Sequence, residues 1–217
     1  MIMSSKAKNL LILGAGGHGK VVADTALGTG QWQQIAFLDD KDGLHKVMGI
    51  PVIGKPIDFK SLKKDYKYAF VAVGNNKLRL EWIERLSNAG FKIPTIIHPV
   101  SFVSRTSSIG EGTVVMAGAI INASTNIGRG CIINTSSSVD HDCNLEDGVH
   151  ISPGVHVGGT VSIGKCTWVC IGSSIANNTV IGKNAIIAAG ASVIQNVPDN
   201  VMVAGVPAVL KKIMEGY

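Results

Sequence analysis

Between Val103 and Val193 every sixth residue is Ile, Leu or Val: Val103, Ile109, Val115, Ile121, Ile127, Ile133, Val139, Leu145, Ile151, Val157, Ile163, Val169, Ile175, Ile181, Ile187 and Val193. If one residue in three were aliphatic, such a run would arise by chance on the order of once in tens of millions of tries. A second lattice follows four residues behind each aliphatic, from Ser107, Thr113 and Ala119 through Cys131 and Cys143 to Ala191 and Val197, and every member is small. A period of six fits neither an amphipathic helix nor a plain alternating strand. It fits short strands joined by tight bends and wound into a stacked prism. Side chains two apart on a strand share a face, so the small residue and the next aliphatic both point inward and fill a narrow core. Glycine often follows the aliphatic (Gly110, Gly128, Gly164, Gly172, Gly182), where a sharp backbone turn is expected. Ile-Gly recurs at 109, 127, 163 and 181, eighteen or a multiple of eighteen apart. Three hexapeptides therefore make one coil, and the run makes about five coils.

Before the coil, the chain reads as an α/β unit. Leu10-Leu11-Ile12-Leu13 is a buried strand, followed by Gly14-Ala15-Gly16-Gly17-His18-Gly19 and a helix from Lys20. Gln34–Leu38 is a second strand ending in Asp39-Asp40, Val52-Ile53-Gly54 a short third candidate, and Tyr68–Val73 a fourth ending in Gly74-Asn75-Asn76. Lys77–Ala89 has helical apolar spacing, with Trp82 expected in the core and Gly90 closing it. Residues 1–97 form one domain and 98–217 a second, with a short basic helix over Val209 to Met214 expected to cap the open coil. No apolar run is long enough to cross a bilayer, and Leu10–Leu13 is too short for a signal-peptide core, so the expected address is cytoplasmic. A net charge of +5 without basic, aromatic-interleaved stretches carries no nucleic-acid signature. The cysteines Cys131, Cys143, Cys166 and Cys170 form no Cys-x-x-Cys pair, and packing accounts for the first two.

Two stretches carry chemistry. Gly14-x-Gly16-x-x-Gly19 lies between a strand and a helix, with Asp39 and Asp40 about twenty residues on, which is the setting of a nucleotide fingerprint. Gly16 and Gly17 let a ligand approach the backbone, and the helix N-terminus favours a phosphate. No second half-fold follows to hold a nicotinamide, so a nucleotide that is not a redox cofactor is expected. In the coil, His141 falls near a bend two residues after inward Val139, flanked by Asp140 and Asp142. An exposed imidazole beside carboxylates suits a general base. His150 and His156 also point outward from the prism. The three are nine and six residues apart and cannot converge within one chain, so no metal site is expected.

Both blocks together resemble the sugar O- and N-acetyltransferases of surface-glycan biosynthesis, hexapeptide-repeat enzymes. The group most similar acetylates a nucleotide-linked 4-amino sugar in the bacillosamine pathway. The residues carrying the resemblance are Gly14–Gly19, Phe37–Asp40, Gly74-Asn75-Asn76, Asn134–Ser137, His141-Asp142-Cys143, His150-Ile151-Ser152 and Gly205-Val206-Pro207-Ala208. The resemblance implies a left-handed parallel β-helix, an exception to the usual crossover hand, behind a half-Rossmann-like head. It implies acetyl-CoA as co-substrate and a UDP-4-amino-4,6-dideoxy sugar as acceptor, contacted by Gly16, Gly17, His18, Asp39, Asp40 and Gly74. His141 is then the base, with Asp142 raising its basicity where the bacillosamine enzyme has Glu. His150, Gly159, Ile171 and Ala189 line the acetyl-CoA cleft between subunits of a homotrimer; the bacillosamine enzyme has glycine in place of Ala189. The alternatives within reach are a sialic-acid-type O-acetyltransferase and, by likeness to hexapeptide-fold carbonic anhydrases, a zinc-dependent γ-type hydratase.

Overall fold

The computed structural model describes residues 8–214. β1 (Asn9–Leu13) leads to α1 (Gly17–Gly28), β2 (Gln34–Leu38), the short pair β3 (Lys46–Val47) and β4 (Ile50–Pro51), β5 (Tyr68–Val71) and α2 (Asn76–Asn88). β1 lies at the centre of a parallel sheet, with β2 on one side and β5 on the other. Both faces of that sheet are covered, which is why its strands are unbroken apolar runs. Leu10, Ile12, Phe37 and Phe70 pack with Val22, Ala23 and Ala26 of α1, and the same cluster continues into Val114, Met116 and Ile132 of the coil. Leu11, Leu13, Ala69 and Val71 pack on the opposite side with Ile83 and Leu86 of α2. Val52 makes a lone bridge to Phe37 rather than a strand. Trp82 is only half-buried, edge-on to Phe59 at 6.1 Å with the Arg85 guanidinium 4.4 Å over its ring. It roofs the core instead of filling it.

The hexapeptides form a three-faced parallel solenoid. The first face stacks Ile96–Ile97, Val114–Val115, Ile132–Ile133, His150–Ile151, Trp168–Val169, Ile186–Ile187 and finally Val201–Ala204. The second face runs from Phe102–Val103 to Ser192–Val193, and the third from Ser108–Ile109 to Val180–Ile181. The second face thus has six rungs and the third five. The aliphatics from Val115 to Val193 and most of the small residues behind them form one continuous core, closed at its first rungs by the half-buried Val103 and Ile109. The polar members of the small lattice are spent on coil-to-coil bonds. Thr125 Oγ1 donates to Asp140 O (2.6 Å) and accepts from Cys143 N (3.2 Å), one coil on.

Two expectations change. Of the five glycines expected at turns only Gly172 (φ +67°) carries one, three residues after Val169; glycines 110, 128, 164 and 182 do not, since none of them has a positive φ. They are glycines because coils stack closely there. A Cβ on Gly128 would lie 2.7 Å from Asp147 N, and one on Gly164 2.5 Å from Lys183 N. The left-handed turn sits three residues after each aliphatic from Ile109 to Ile187, and every sixth residue from Gly112 to Gly190 has positive φ. The expected basic helix at 209–214 is absent. Val209–Ile213 is instead a strand, antiparallel to Val201–Ala204 with a bulge between Met202 and Val203. The last rung presents a row of free backbone groups, and a strand satisfies them where a helix would not.

Candidate active site

The sheet order β2-β1-β5 makes the carboxyl ends of β1 and β5 a switch point, where α/β sheets bind ligands. The loops leaving those two strands are Gly14–Gly17 and Gly74–Asn76. The glycines of the first loop divide into two kinds. Gly14 (φ +100°) and Gly19 are required by the fold, since a Cβ would lie 2.7 Å from Ala72 O and 2.1 Å from Gly14 O. Gly16, Gly17 and Gly74 have nothing within 4 Å of a Cβ, so packing does not demand them. Gly16 is the N-cap of α1, and no side chain caps that end and no acid lies in its first turn. Its free N–H groups can meet an anion. Asp39 is already engaged: its carboxylate accepts from Ala15 N (2.7 Å) and Lys41 N (2.9 Å) and so shapes the loop. Asp40 is exposed. Gly16, Gly17, Lys20, Asp39 and Lys41 border a groove of about 240 Å³.

A larger cleft of about 420 Å³ opens between Gly74–Lys77 and the first face of the coil, lined on the coil side by His150, Trp168 and Ile186, by Cys166 in the turn before Trp168, and by Met214. The Trp168 ring stacks on His150 (centroids 5.9 Å, 13° apart) and donates through Nε1 to Ser152 Oγ at 2.9 Å. His150 does point outward from the prism, as its strand position requires, but the head covers it. Burial, then the Arg79 cation, then His18, push its imidazole down to about 3. Burial and Arg79 likewise push His18, in the first turn of α1, down to about 4. Both rings are neutral at pH 7, and the Nε2 atom of each is buried without a hydrogen-bond partner. Arg79, which sequence reasoning passed over, is fully enclosed at 0% exposure. Burial lowers its guanidinium to about 10, which leaves it charged. The one hint in the sequence was a stripe of glycines a coil apart, Gly112, Gly130 and Gly148. Their missing Cβ atoms make room for Ile83 and Leu80 of α2, from which Arg79 reaches into the coil.

His141 occupies a different corner, in the turn between the second-face strand Ser138–Val139 and the third-face strand Asn144–Leu145. Its Nδ1 lies 2.7 Å from Asp142 Oδ2, and its backbone N donates to Asp140 Oδ1 at 2.8 Å. Asn122 Nδ2 anchors that same Asp140 oxygen at 2.9 Å. The side chain is 56% exposed. The Asp142 hydrogen bond, then the charge of Asp140, raise its pKa above the usual 6.5. With Nδ1 carrying the proton toward Asp142, Nε2 is left as the acceptor. Asp142 stands at a left-handed turn position (φ 57°), where its counterparts in the other turns are Gly, Ser, Thr, Cys or Asn. Gly159, on the next coil, lies under the ring: a Cβ there would sit 2.7 Å from both Cε1 and Nε2.

Within one chain the expected site residues fall in separate places. Gly16, Gly17, His18, Gly74 and His150 gather at the seam between head and coil. His141, Asp142 and Gly159 share the second–third corner. Ile171 and Ala189 are exposed one coil apart at the first–second corner. His141, His150 and His156 lie at three different positions around the prism, His156 hydrogen-bonding Ser138 Oγ (2.8 Å). Among the described residues no group of three His, Cys, Asp or Glu is placed to hold a metal ion, and no helix is long and apolar enough to cross a membrane.

A nucleotide-type glycine loop set on a hexapeptide solenoid with a carboxylate-held histidine defines an acyltransferase architecture with its own ligand-binding head. Residues 9–86 match the family model of the PglD N-terminal domain. The acetyltransferase domain of PglB from Neisseria gonorrhoeae FA1090, in complex with acetyl coenzyme A, superposes with a TM-score of 0.92 at 41% identity, covering 94% of this chain and 100% of that one. A mutant of perosamine N-acetyltransferase from Caulobacter crescentus, in complex with CoA and GDP-perosamine, gives 0.90 at 36% identity over 94% and 97% of the two chains. UDP-N-acetylbacillosamine N-acetyltransferase of Bacillus subtilis (strain 168) is 40% identical over 113 residues, 51% of this chain and 52% of the relative. The match thus spans about half the length of that curated relative. The chain belongs to the family of sugar acetyltransferases built on a left-handed parallel β-helix.

Proposed function

We propose that the protein is an acetyl-CoA-dependent N-acetyltransferase that acetylates the amino group of a nucleotide-linked amino sugar, a UDP-4-amino-4,6-dideoxy sugar, in the cytoplasm. The observation that carries this assignment is His141: its Nδ1 is held by Asp142, and Nε2 faces outward over Gly159. A neutral amine attacks the thioester carbonyl, the C–N bond forms, and the nitrogen loses a proton to His141 Nε2, directly or through water. A backbone N–H of a coil turn stabilises the oxyanion. Collapse expels CoA thiolate, which takes up a proton. Transfer is direct: Cys143 Sγ, the cysteine beside His141, is directed to main-chain carbonyls, those of His141 and Gly158, and not to the imidazole.

The separation of the two sites supports a homotrimer. The second–third corner is opposite the first face in a triangular prism, so the base of one subunit serves the nucleotide cleft of the next. Gly16, Gly17, His18, Asp40 and Gly74 hold the nucleotide sugar, with Asp39 bracing the loop. His150, Gly159, Ile171 and Ala189 line the acetyl-CoA path between subunits. The names of the relatives support both UDP- and GDP-linked acceptors. The deciding experiment is CoA-thiol release against a panel of UDP-, GDP- and dTDP-linked amino sugars. Turnover with one of the UDP-4-amino sugars is expected. Thiol release only with hydroxyl acceptors would overturn N-acetylation.

A further inference from the structure

Among the described residues Arg79 is the only buried Asp, Glu, Lys or Arg. All five of its N–H groups are used: Nε donates to Gly130 O (2.6 Å), Nη1 to Val73 O (2.9 Å) and Gly74 O (3.2 Å), and Nη2 to Asn76 Oδ1 (2.8 Å) and Gly148 O (3.0 Å). Every acceptor is a neutral carbonyl oxygen. These dipoles solvate the guanidinium but leave its unit charge uncancelled, and no carboxylate among the described residues pairs with it. An enclosed charge without a counter-ion is costly to hold. Two of its acceptor residues, Gly74 and Asn76, form the wall of the 420 Å³ cleft. Two further features have no partner of their own: the Nε2 atoms of His18 and His150, the latter lining the same cleft, and the uncapped start of α1, which borders the 240 Å³ groove.

We propose that Arg79 is a fixed, enclosed positive charge behind this cleft, additional to Lys77 in its lining, and that its counter-ion is the diphosphate of the bound sugar nucleotide, felt across the Gly74–Asn76 wall rather than by contact. The inference rests on the cleft being the nucleotide-sugar site. Arg79 is then a positioning residue with two effects. Its bonds to Gly130 and Gly148 fix the 74–76 loop on the coil. Its charge favours a diphosphate over any neutral ligand, whatever the base, because the field acts on the phosphates alone. Lysine keeps the charge and loses most of the fork; glutamine loses the charge.

Titration calorimetry of the full chain with UDP and uridine, and with GDP and guanosine, separates the two effects. For the preferred base, Arg79→Gln is expected to weaken the diphosphate about 10- to 100-fold while the nucleoside stays within about threefold, and Arg79→Lys to recover most of the loss. In turnover, KM for the nucleotide sugar rises and KM for acetyl-CoA does not. Equal losses for nucleoside and diphosphate, or a lysine variant no better than glutamine, would make Arg79 a brace only and overturn the proposal. Should Arg79→Gln fail to fold, Asn76→Asp places a carboxylate where Oδ1 already meets Nη2. An unchanged diphosphate-to-nucleoside ratio in that variant would equally overturn it. Wild-type protein that binds neither nucleotide would remove the nucleotide-sugar assignment itself, and this proposal with it.

Discussion

Three of the six histidines stand in two opposite settings. At the second–third corner His141 is exposed, with carboxylates on both sides, and its pKa is raised. At the seam between head and coil His18 and His150 are largely buried near a guanidinium and fall to about 4 and about 3. The same side chain is thus made a better proton acceptor in one place and kept from accepting one in the other. The Asp142 hydrogen bond and then the Asp140 charge do this at the corner, where the ring stays in solvent, and burial does it at the seam. A base that must cycle its proton needs the first setting. Groups that only recognise a ligand need the second, since a neutral imidazole keeps one donor and one acceptor at any pH near 7.

The largest effect should come from removing the open imidazole. His141→Ala is expected to lower kcat at least ~100-fold with KM for acetyl-CoA little changed. Near wild-type turnover in steady-state thiol release would dissolve the contrast between the regions. Gly159→Ala tests the same corner without touching the base. Its methyl would lie 2.7 Å from the His141 ring, so the ring must move, and kcat should fall ~10-fold or more while the melting temperature holds. Asp142→Asn keeps a residue tolerated at φ 57° but removes the charge. It should cost ~10-fold in kcat and shift the acid limb of the pH–rate profile to lower pH, because the group raising the His141 pKa is gone. An unmoved limb would mean that Asp142 orients the ring and nothing more.

How these residues could be read from sequence differed for a physical reason. The coil was legible because its core repeats every six residues, and Asp142 because it flanks His141; that it is the one carboxylate among the left-handed turn residues of the coil emerged only from the backbone angles. His141 was legible as a polar residue the core does not claim. Arg79 was not, because its prism acceptors are the main-chain carbonyls of Gly130 and Gly148, 51 and 69 residues away, and a carbonyl leaves no mark on sequence. The strand Val209–Ile213 was misread as a helix for a related reason. Local composition allowed a helix, and the need that decided it was the unpaired edge of Val201–Ala204, fixed only once the last coil is laid down. The enclosure of His150 was hidden the same way: its outward position was correct, and what covers it comes from a region some seventy residues earlier in the chain.

The seam makes its own prediction about acid. The folded pKa of His18 and His150 lies below the unfolded value of 6.5, so below pH 6.5 the unfolded chain takes up protons that the folded chain refuses. Their contribution to stability is whole above pH 6.5 and is lost as pH falls toward 4 and then 3. Urea unfolding should show a loss of at least ~2 kcal/mol between neutral pH and pH 4 from this pair. The double variant His18→Asn/His150→Asn should flatten that part of the curve, and a curve of unchanged slope would mean the imidazoles are not enclosed in solution.

The smallest effect sharpens the comparison most, because it adds one methyl to the seam where Gly159→Ala adds one to the corner. A Cβ on Gly74 meets nothing within 4 Å, and its φ is not in the left-handed region, so Gly74→Ala should leave stability within about 0.5 kcal/mol of wild type. The space it enters is the wall of the cleft, directly in front of the carbonyl that binds Arg79. A ligand passing close over that backbone would be displaced, raising KM for the nucleotide sugar about three- to tenfold with kcat unchanged. The corner methyl should do the reverse, lowering kcat and sparing KM for the nucleotide sugar. If Gly74→Ala left KM alone, the nucleotide sugar would have to approach the seam through the Gly16–Gly17 side only, and the Gly74 wall would serve Arg79 without meeting the substrate.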